Sequence, residues 1–272
     1  MKVLGVVGPS DAGKTLLVER LVEHLDGRVG TVKHLHRFDV DTEGKDTARH
    51  RAAGAATTLG VTGEEWFATG DAMTLDDALA RLAPDHDYAL VEGYSDAALP
   101  QVVLGGRDHG GTALVEAPTA DDVALDAVVD ALADVEPLET LGSLVARAKR
   151  SPQAERAGAI ATFTGRVRAK DSPDDVPTEY LEFERYEDVA AERMARIESE
   201  LAAREGVQEV LLHHRTGVVE AGEDIVFVVV LAGHRREAFR TVEDGIDRLK
   251  DEVPLFKKEV TVEDTFWVHD RE

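Results

Sequence analysis

Three lysines lie close together in LKDEVPLFKKEV, the segment of residues 249–260. They are Lys250, Lys257 and Lys258, in a chain of 272 residues that has 54 acidic side chains and only nine lysines. A neutral lysine amine is a nucleophile and a proton acceptor, and neighbouring cations disfavour its protonation. The residues alone leave two interpretations open. The lysines belong to an active site, or they form surface ion pairs with adjacent acidic residues, worth about 0–1 kcal/mol each.

Other cationic side chains in the same half follow apolar segments. Arg166 and Arg168 lie at the end of the segment 157–167, and His234 and Arg235 come after the segment at 224–233. A guanidinium group binds phosphate with two parallel hydrogen bonds, and a helix N-terminus attracts anions. We therefore expect a pocket for an anionic ligand. Arg215, in the sequence HHR, fits a structural ion pair equally well.

The spacing of apolar residues predicts a helix over residues 235–252. Its apolar residues recur at intervals of three and four, as expected when one helix face is buried. They are Phe239, Val242, Ile246, Leu249 and Val253. Pro254 ends the helix, and the lysine pair after it lies on an extended segment whose side chains alternate between two faces. At most one of Lys257 and Lys258 can then face a pocket lined by Lys250.

The sequence GPSDAGKT, residues 8–15, matches the phosphate-binding loop pattern G-x-x-x-x-G-K-[ST]. It follows an apolar strand and begins a helix, which is the context that the pattern requires. In such a loop the backbone N–H groups surround the phosphates, the lysine reaches the β- and γ-phosphates, and the hydroxyl binds Mg²⁺. The predicted nucleotide-binding residues of the loop are Gly8, Ser10, Asp11, Ala12, Gly13, Lys14 and Thr15.

Glu92 is a further residue of this predicted site and lies near the end of the apolar segment DYALVEG. The acid that meets Mg²⁺ in phosphate-binding-loop domains lies at a strand end, so Thr15 and Glu92 are the candidate metal ligands. A mixed-charge segment follows another apolar strand, and we interpret it as a loop over the nucleotide rather than a histidine metal site. Its polar residues are Lys33, His34, His36, Asp39, Asp41, Lys45, Asp46 and Arg49. No N-K-x-D guanine signature is present, and spacing alone does not distinguish GTP from ATP.

The surrounding elements predict two domains, 1–137 and 138–272. In the first, short apolar strands alternate with helices, which is typical of an α/β fold with a parallel sheet, closed by a helix at 120–133. The second is expected to be α+β. Its predicted strands cover residues 157–167, 178–186, 207–219 and 224–233, and a further helix covers residues 187–204.

The net charge of −23 is distributed along the whole chain. It disfavours binding to nucleic acid or to anionic membranes, and it suits a very salty cytoplasm, where screening acts over about 3 Å at 1 M salt. The absence of cysteine excludes disulfides and thiolate chemistry, so any sulfur must come from a partner. The N-terminal apolar run is too short for a signal peptide or a membrane span, and we expect a cytoplasmic protein.

Residues 1–135 resemble the molybdopterin-guanine dinucleotide biosynthesis adaptor family. The similarity lies in GPSDAGKT, in KHLHRFDVDTEGKDTARHRAAGA at 33–55 and in the strand end VEG. This resemblance implies a P-loop NTPase domain that binds GTP with Mg²⁺ and hydrolyses it slowly or only as an accessory step. It also implies cooperation with the guanylyltransferase that attaches GMP to molybdopterin.

Residues 140–272 resemble the large, catalytic subunit of molybdopterin synthase. The matching motifs are GAIATFTGRVR, LEFERYEDVA, HRTGVVEAGED, GHRREAF and LKDEVPLFKKE. The resemblance implies conversion of cyclic pyranopterin monophosphate to molybdopterin, with sulfur from a thiocarboxylated ubiquitin-like small subunit, and a homodimer of catalytic subunits. Carried over by motif, Lys250 and Lys257 are catalytic. Arg168, His234 and Arg235 line the pocket for the pterin phosphate, with Arg166 and Lys258 as further candidate substrate-binding residues.

Two other functions remain compatible with the residues. One is a P-loop NTPase whose C-terminal domain only binds a partner. The other is a P-loop kinase that phosphorylates a small anion held by the C-terminal cations.

Overall fold

The protein is described from a computed structural model that covers residues 1–35, 44–262 and 265–268. The chain divides into two compact units, Met1–Leu138 and Glu139–Glu272. Within the described ranges, no helix has the length and apolar character needed to cross a membrane.

The N-terminal unit has a five-stranded parallel sheet in the order β2, β5, β1, β6, β7. Its strands are β1 (Lys2–Val7), β2 (Val29–Lys33), β5 (Tyr88–Glu92), β6 (Gln101–Leu104) and β7 (Ala113–Ala117). The central strands are buried on both faces, as expected when helices cover a parallel sheet. The helices are α1 (Lys14–His24), α2 (Asp46–Ala52), α3 (Leu75–Leu82) and α4 (Leu125–Ala133). This confirms the predicted α/β fold.

An antiparallel hairpin also belongs to this unit. It consists of β3 (Thr57–Val61) and β4 (Trp66–Gly70), and the sequence patterns did not predict it. Its strands carry few buried residues, so they lack the apolar run that indicates a core strand.

The C-terminal unit combines two antiparallel sheets with three α-helices among its described residues. One sheet has the order β10, β12, β8, and the other has the order β11, β9, β13, β14. Their bounds are β8 (Ala159–Arg166), β9 (Thr178–Arg185), β10 (Val207–His214), β11 (Gly217–Glu220), β12 (Asp224–Ala232), β13 (Leu255–Thr261) and β14 (Thr265–Val268). The helices are α5 (Leu141–Lys149), α6 (Glu187–Ala202) and α7 (Arg235–Glu252). The predicted α+β fold is confirmed.

Helix α7 packs its apolar face onto the three-stranded sheet. Val242, Ile246 and Leu249 are buried in one cluster with residues of α6, β10 and β12. An added Cβ at Gly245 would lie 3.1 Å from Cγ1 of Val228, so the helix approaches the sheet closely there. The predicted bounds of this helix, residues 235–252, are those of the structure, but Phe239, which the spacing places on the buried face, is exposed.

Two predicted elements are wrong in detail. The helix expected at 120–133 is a short 3₁₀ turn, Ala120–Asp122, followed by α4, with Val123 and Ala124 extended between them. The strand expected at 207–219 is two strands, β10 and β11, which belong to different sheets. The chain leaves the first sheet after His214 and enters the second at Gly217, whose φ of 76° favours glycine.

Two adjacent histidines end β10. His214 is 6% exposed, and its Nδ1 lies 2.7 Å from the carbonyl oxygen of Arg215. Its ring meets Phe183 edge to face at a centroid distance of 4.8 Å. Burial lowers the pKa of His214 to about 4, and it does the same for His213. Both imidazoles are therefore neutral at pH 7.

We predict that His214 makes the C-terminal unit less stable as the pH falls from about 6.5 to about 4. In that window the unfolded histidine binds a proton that the folded one does not, at up to about 1.4 kcal/mol per pH unit. In His214→Asn, whose amide can still donate to the Arg215 carbonyl, calorimetric unfolding of the full chain should depend less steeply on pH. The exposed His50→Asn variant is the control. Equal slopes in wild type and His214→Asn would contradict the prediction.

Candidate active site and nucleotide-binding site

The loop of residues 8–15 connects β1 to α1 and has the geometry of a phosphate-binding loop. Gly13 has a φ of 83°, and an added Cβ would lie 2.8 Å from Cβ of Ala120, so glycine is required on both counts. Ser10 and Asp11 are exposed, whereas Ala12 is buried and accepts a hydrogen bond from the backbone of Ala120 at 3.0 Å. The contacts with Ala120 thus hold one side of the loop in place, and Ser10 and Asp11 on the other side are open to solvent.

Lys14 folds back over this loop. Its Nζ donates to the carbonyl oxygens of Gly8 at 2.9 Å and Pro9 at 2.6 Å. These bonds hold the ammonium above the turn, where a phosphate oxygen could replace a carbonyl as its partner. The arrangement suits a lysine that binds phosphate.

Thr15 and Glu92 meet at the carboxyl edge of the sheet. The Thr15 hydroxyl donates to Oε1 of Glu92 at 2.9 Å, and the Glu92 side chain is only 10% exposed. Mg²⁺ binds oxygens at about 2.0–2.1 Å in an octahedron, whose adjacent ligands lie about 2.9 Å apart. The two oxygens therefore fit neighbouring positions in a Mg²⁺ shell. Lys33 Nζ lies 3.0 Å from Oε1 of Glu92 and 3.1 Å from the Thr15 hydroxyl, a contact that sequence patterns did not predict.

The mixed-charge segment after β2 is described only in part. His36, Asp39 and Asp41 lie outside the described residues. His34 packs its ring on Tyr94 at a centroid distance of 4.9 Å, and Lys45 immediately precedes α2. Asp46 and Arg49 pair with each other on α2 at 3.5 Å.

The C-terminal unit contains an open cavity of about 2240 Å³ between its two sheets and the end of α7. Cationic, acidic and aromatic side chains all line it. The cations are Arg166, Arg168, Lys170, Lys250 and Lys257, and the aromatic residues are Phe163, Phe183, His214, Phe256 and Trp267. Such a cavity combines charged groups for an anion with flat apolar surfaces for a ring.

Two of the three lysines in residues 249–260 line the cavity and the third does not, as their spacing predicts. Lys250 in the last turn of α7 and Lys257 on β13 both line the cavity. Lys258 does not, and its Nζ pairs with Glu182 on the neighbouring strand β9 at 2.8 Å. This hydrogen bond raises the pKa of Lys258. The alternation of side chains along β13 therefore gives Lys258 an ion pair and leaves Lys257 at the cavity.

Arg166 and Arg168 line the same cavity but differ in how they are held. Arg166 Nε lies 3.1 Å from the Asp224 carboxylate, and its guanidinium also donates to the Gly222 carbonyl. Arg168 pairs with Asp171 at 2.9 Å, and its side chain is 76% exposed. Arg168 is the more accessible of the two for a ligand.

His234 and Arg235 do not line this cavity. They lie at the exposed N-terminus of α7, whereas Lys250 lies fifteen residues after Arg235, a rise of about 22 Å. Within one chain the structure therefore separates these two residues from the lysines. Arg215 also lies outside the cavity and donates to the Asp224 carbonyl at 3.0 Å, which agrees with a structural role.

Both units of the chain are similar to known proteins. The family model of the MoaE protein matches residues 136–252, and the model of molybdopterin guanine dinucleotide synthesis protein B matches residues 3–130. A Haloferax volcanii protein described as "Probable molybdopterin synthase" is 53% identical over 272 residues and covers 100% of both chains.

Further relatives match one unit each. The molybdopterin synthase catalytic subunit of Pyrococcus abyssi is 40% identical over 111 residues, 41% of this chain and 74% of that protein. A Methanocaldococcus jannaschii protein, provisionally named a molybdopterin-guanine dinucleotide biosynthesis adapter protein, is 33% identical over 126 residues. That match covers 44% of this chain and 53% of the M. jannaschii protein. The chain is thus an enzyme of molybdenum cofactor biosynthesis with a nucleotide-binding N-terminal unit, and it belongs to the molybdopterin synthase family.

Proposed function

We propose that the C-terminal unit converts cyclic pyranopterin monophosphate to molybdopterin in the cavity that Lys250 and Lys257 line. The observation that carries this proposal is the convergence of two amines from different elements on one cavity with aromatic walls. A pterin ring fits the aromatic surfaces, and its phosphate fits the exposed guanidinium of Arg168. The proposed sulfur donor is the thiocarboxylated ubiquitin-like small subunit that the family resemblance implies, and a chain without cysteine agrees with sulfur that comes from a partner.

Each sulfur transfer forms a carbon–sulfur bond to a carbon of the pterin side chain and breaks the carbon–sulfur bond of the thiocarboxylate. At the same pterin carbon a carbon–oxygen bond breaks, and its oxygen leaves as water or with the opened cyclic phosphate. Water supplies the oxygen that restores the carboxylate of the small subunit. A lysine amine at the cavity wall can attack an acyl carbon or carry the protons that these steps release. Lys250 and Lys257 are the amines in position for these roles, and neutral His214 offers a further polar group on the same wall.

Replacing either lysine should reduce molybdopterin formation without unfolding the chain. We expect Lys250→Ala and Lys257→Ala to lower the rate by about 100-fold or more, the usual effect of losing a group that transfers protons. The measurement is dithiolene product formed from the cyclic pterin and the thiocarboxylated small subunit. Arg240→Ala, exposed on α7 and outside the cavity, is the matched control. Normal rates in both lysine variants would contradict the assignment, and would favour a C-terminal unit that only binds a partner.

We further propose that the active form is a homodimer in which His234 and Arg235 of one copy serve the cavity of the other. The separation of about 22 Å along α7 supports this arrangement, because the motif residues cannot meet within one chain. A two-fold dimer would give two identical composite sites.

Mixing two inactive variants tests the dimer. Lys250→Ala and Arg235→Ala should each be inactive alone, but a co-expressed mixture should recover about a quarter of wild-type activity, since half of the dimers carry one intact site. Recovery is measured in the same product assay after separation of dimers by size. No recovery from dimers that contain both variants would contradict composite sites.

For the N-terminal unit we propose GTP binding in the loop of residues 8–15, in support of the guanylyltransferase of the same pathway. Lys14 and the loop N–H groups hold the phosphates. Thr15 and Glu92 would hold Mg²⁺, which would neutralise phosphate charge when bound. The unit is proposed to hydrolyse GTP slowly or only as an accessory step.

Lys14→Ala should weaken nucleotide binding by about 100-fold or more, because it removes the charge that meets the phosphates. Calorimetric titration of the full chain with GTP and with ATP, each with Mg²⁺, measures the affinity and the base preference. Lys149→Ala, exposed in the C-terminal unit, controls for the loss of one charge. Unchanged affinity in Lys14→Ala would contradict the site, and equal affinities for GTP and ATP would contradict the guanine preference. Transfer of phosphate from nucleotide to a pterin would favour the kinase alternative.

A further inference from the structure

The amine of Lys33 contacts both oxygens that we assign to Mg²⁺. Its Nζ lies 3.0 Å from Oε1 of Glu92 and 3.1 Å from Oγ1 of Thr15, and these two oxygens are 2.9 Å apart. The three atoms form a triangle with sides of nearly equal length. The role proposed above for the nucleotide site makes no use of Lys33.

The pairing of β2 with β5 brings Lys33 close to Glu92. Lys33 ends β2 and lies directly opposite Glu92 in the parallel pairing of β2 with β5. The next residue continues the contact, since the N–H of His34 donates to the Glu92 carbonyl at 2.9 Å. The amine therefore reaches the carboxylate from a fixed backbone position.

Glu92 needs a cation when no metal is bound. Its side chain is 10% exposed, and a carboxylate so far removed from water requires a partner of opposite charge. Lys14 does not supply that charge, because its ammonium is bonded to the carbonyls of Gly8 and Pro9. Lys33 supplies the positive charge beside Glu92. Because 45% of its side chain is exposed, the amine can move into solvent.

Mg²⁺ and the Lys33 ammonium require the same two oxygens. A divalent ion with both oxygens in its shell would lie within a few ångströms of the ammonium, and the two positive charges would repel each other strongly at that distance. Metal binding at this pair must therefore move the amine away.

We propose that Lys33 is a resident counter-ion of Glu92 that Mg²⁺ displaces, so that Lys33 sets the Mg²⁺ concentration needed for binding of a nucleoside triphosphate. Lys33 is thus a positioning residue that acts through Thr15 and Glu92. The inference rests on the proposed nucleotide site.

The test is a Mg²⁺ titration of nucleotide binding by the full chain at constant, molar KCl. Binding of fluorescently labelled GTP is followed in wild type, Lys33→Gln and Lys33→Arg. Lys33→Gln should need about tenfold less Mg²⁺ for half-maximal binding, because the competing charge is gone, a change equivalent to about 1.4 kcal/mol. Lys33→Arg keeps the charge and should keep a requirement close to that of wild type. Lys149→Gln controls for the change in net charge.

A second measurement uses the metal alone. Mn²⁺ in place of Mg²⁺, followed by electron paramagnetic resonance without nucleotide, should bind more tightly to Lys33→Gln than to wild type. If Lys33→Gln is poorly folded by circular dichroism, Lys33→Met replaces it in both measurements.

The outcomes separate this inference from the proposed function. If wild type binds nucleotide and Lys33→Gln has an unchanged or higher Mg²⁺ requirement, Lys33 is not a competing cation and the inference is wrong. If wild type binds neither GTP nor ATP at saturating Mg²⁺, the nucleotide site itself is rejected, and the inference with it.

Discussion

The close packing of α7 on the three-stranded sheet is the interaction on which the C-terminal site depends. Leu249 is fully buried there, and Gly245 lets the helix approach Val228 without a side chain in between. The helix ends at Glu252, and Val253 and Pro254 lead the chain into β13. Because that connection is fixed by the core, Lys250 before it and Lys257 after it are directed to one cavity. The amines are thus positioned by apolar contacts.

The nucleotide site depends on a different constraint, which is the parallel register of three strands. β1 leads into the loop of residues 8–15, and β5 ends at Glu92 beside it. β2 ends at Lys33 on the other side of β5. Parallel strands present their carboxyl ends at one edge, so three residues that are distant in sequence meet there. A shift in either pairing would separate the charges while leaving the local loop intact.

Local features of both sites could be predicted from the sequence, and contacts made by distant residues could not. The loop of residues 8–15 and the helix at 235–252 each follow from spacing within one short segment. The contact of Lys33 with Glu92 depends on strand order, which no local pattern carries. The sequence pattern does not reveal the split of residues 207–219, because both halves are apolar and only the turn before Gly217 separates them. The family motif places His234 and Arg235 with the lysines, whereas the length of α7 keeps them apart within one chain.

Two cations of α7, Arg248 and Lys250, lie in different surroundings, one in a network of ion pairs and the other at the cavity wall. Arg248 donates hydrogen bonds to Glu252 at 2.6 Å and to Glu200 on α6 at 2.6 Å. The hydrogen bond from Arg248 is the main reason why the pKa of Glu252 is lowered to about 2. Lys250 lies two residues further, about 200° around the helix, and lines the cavity. Arginine can hold two carboxylates at once, which suits the first position. A compact amine stands at the second position, where we propose that Lys250 takes part in sulfur transfer.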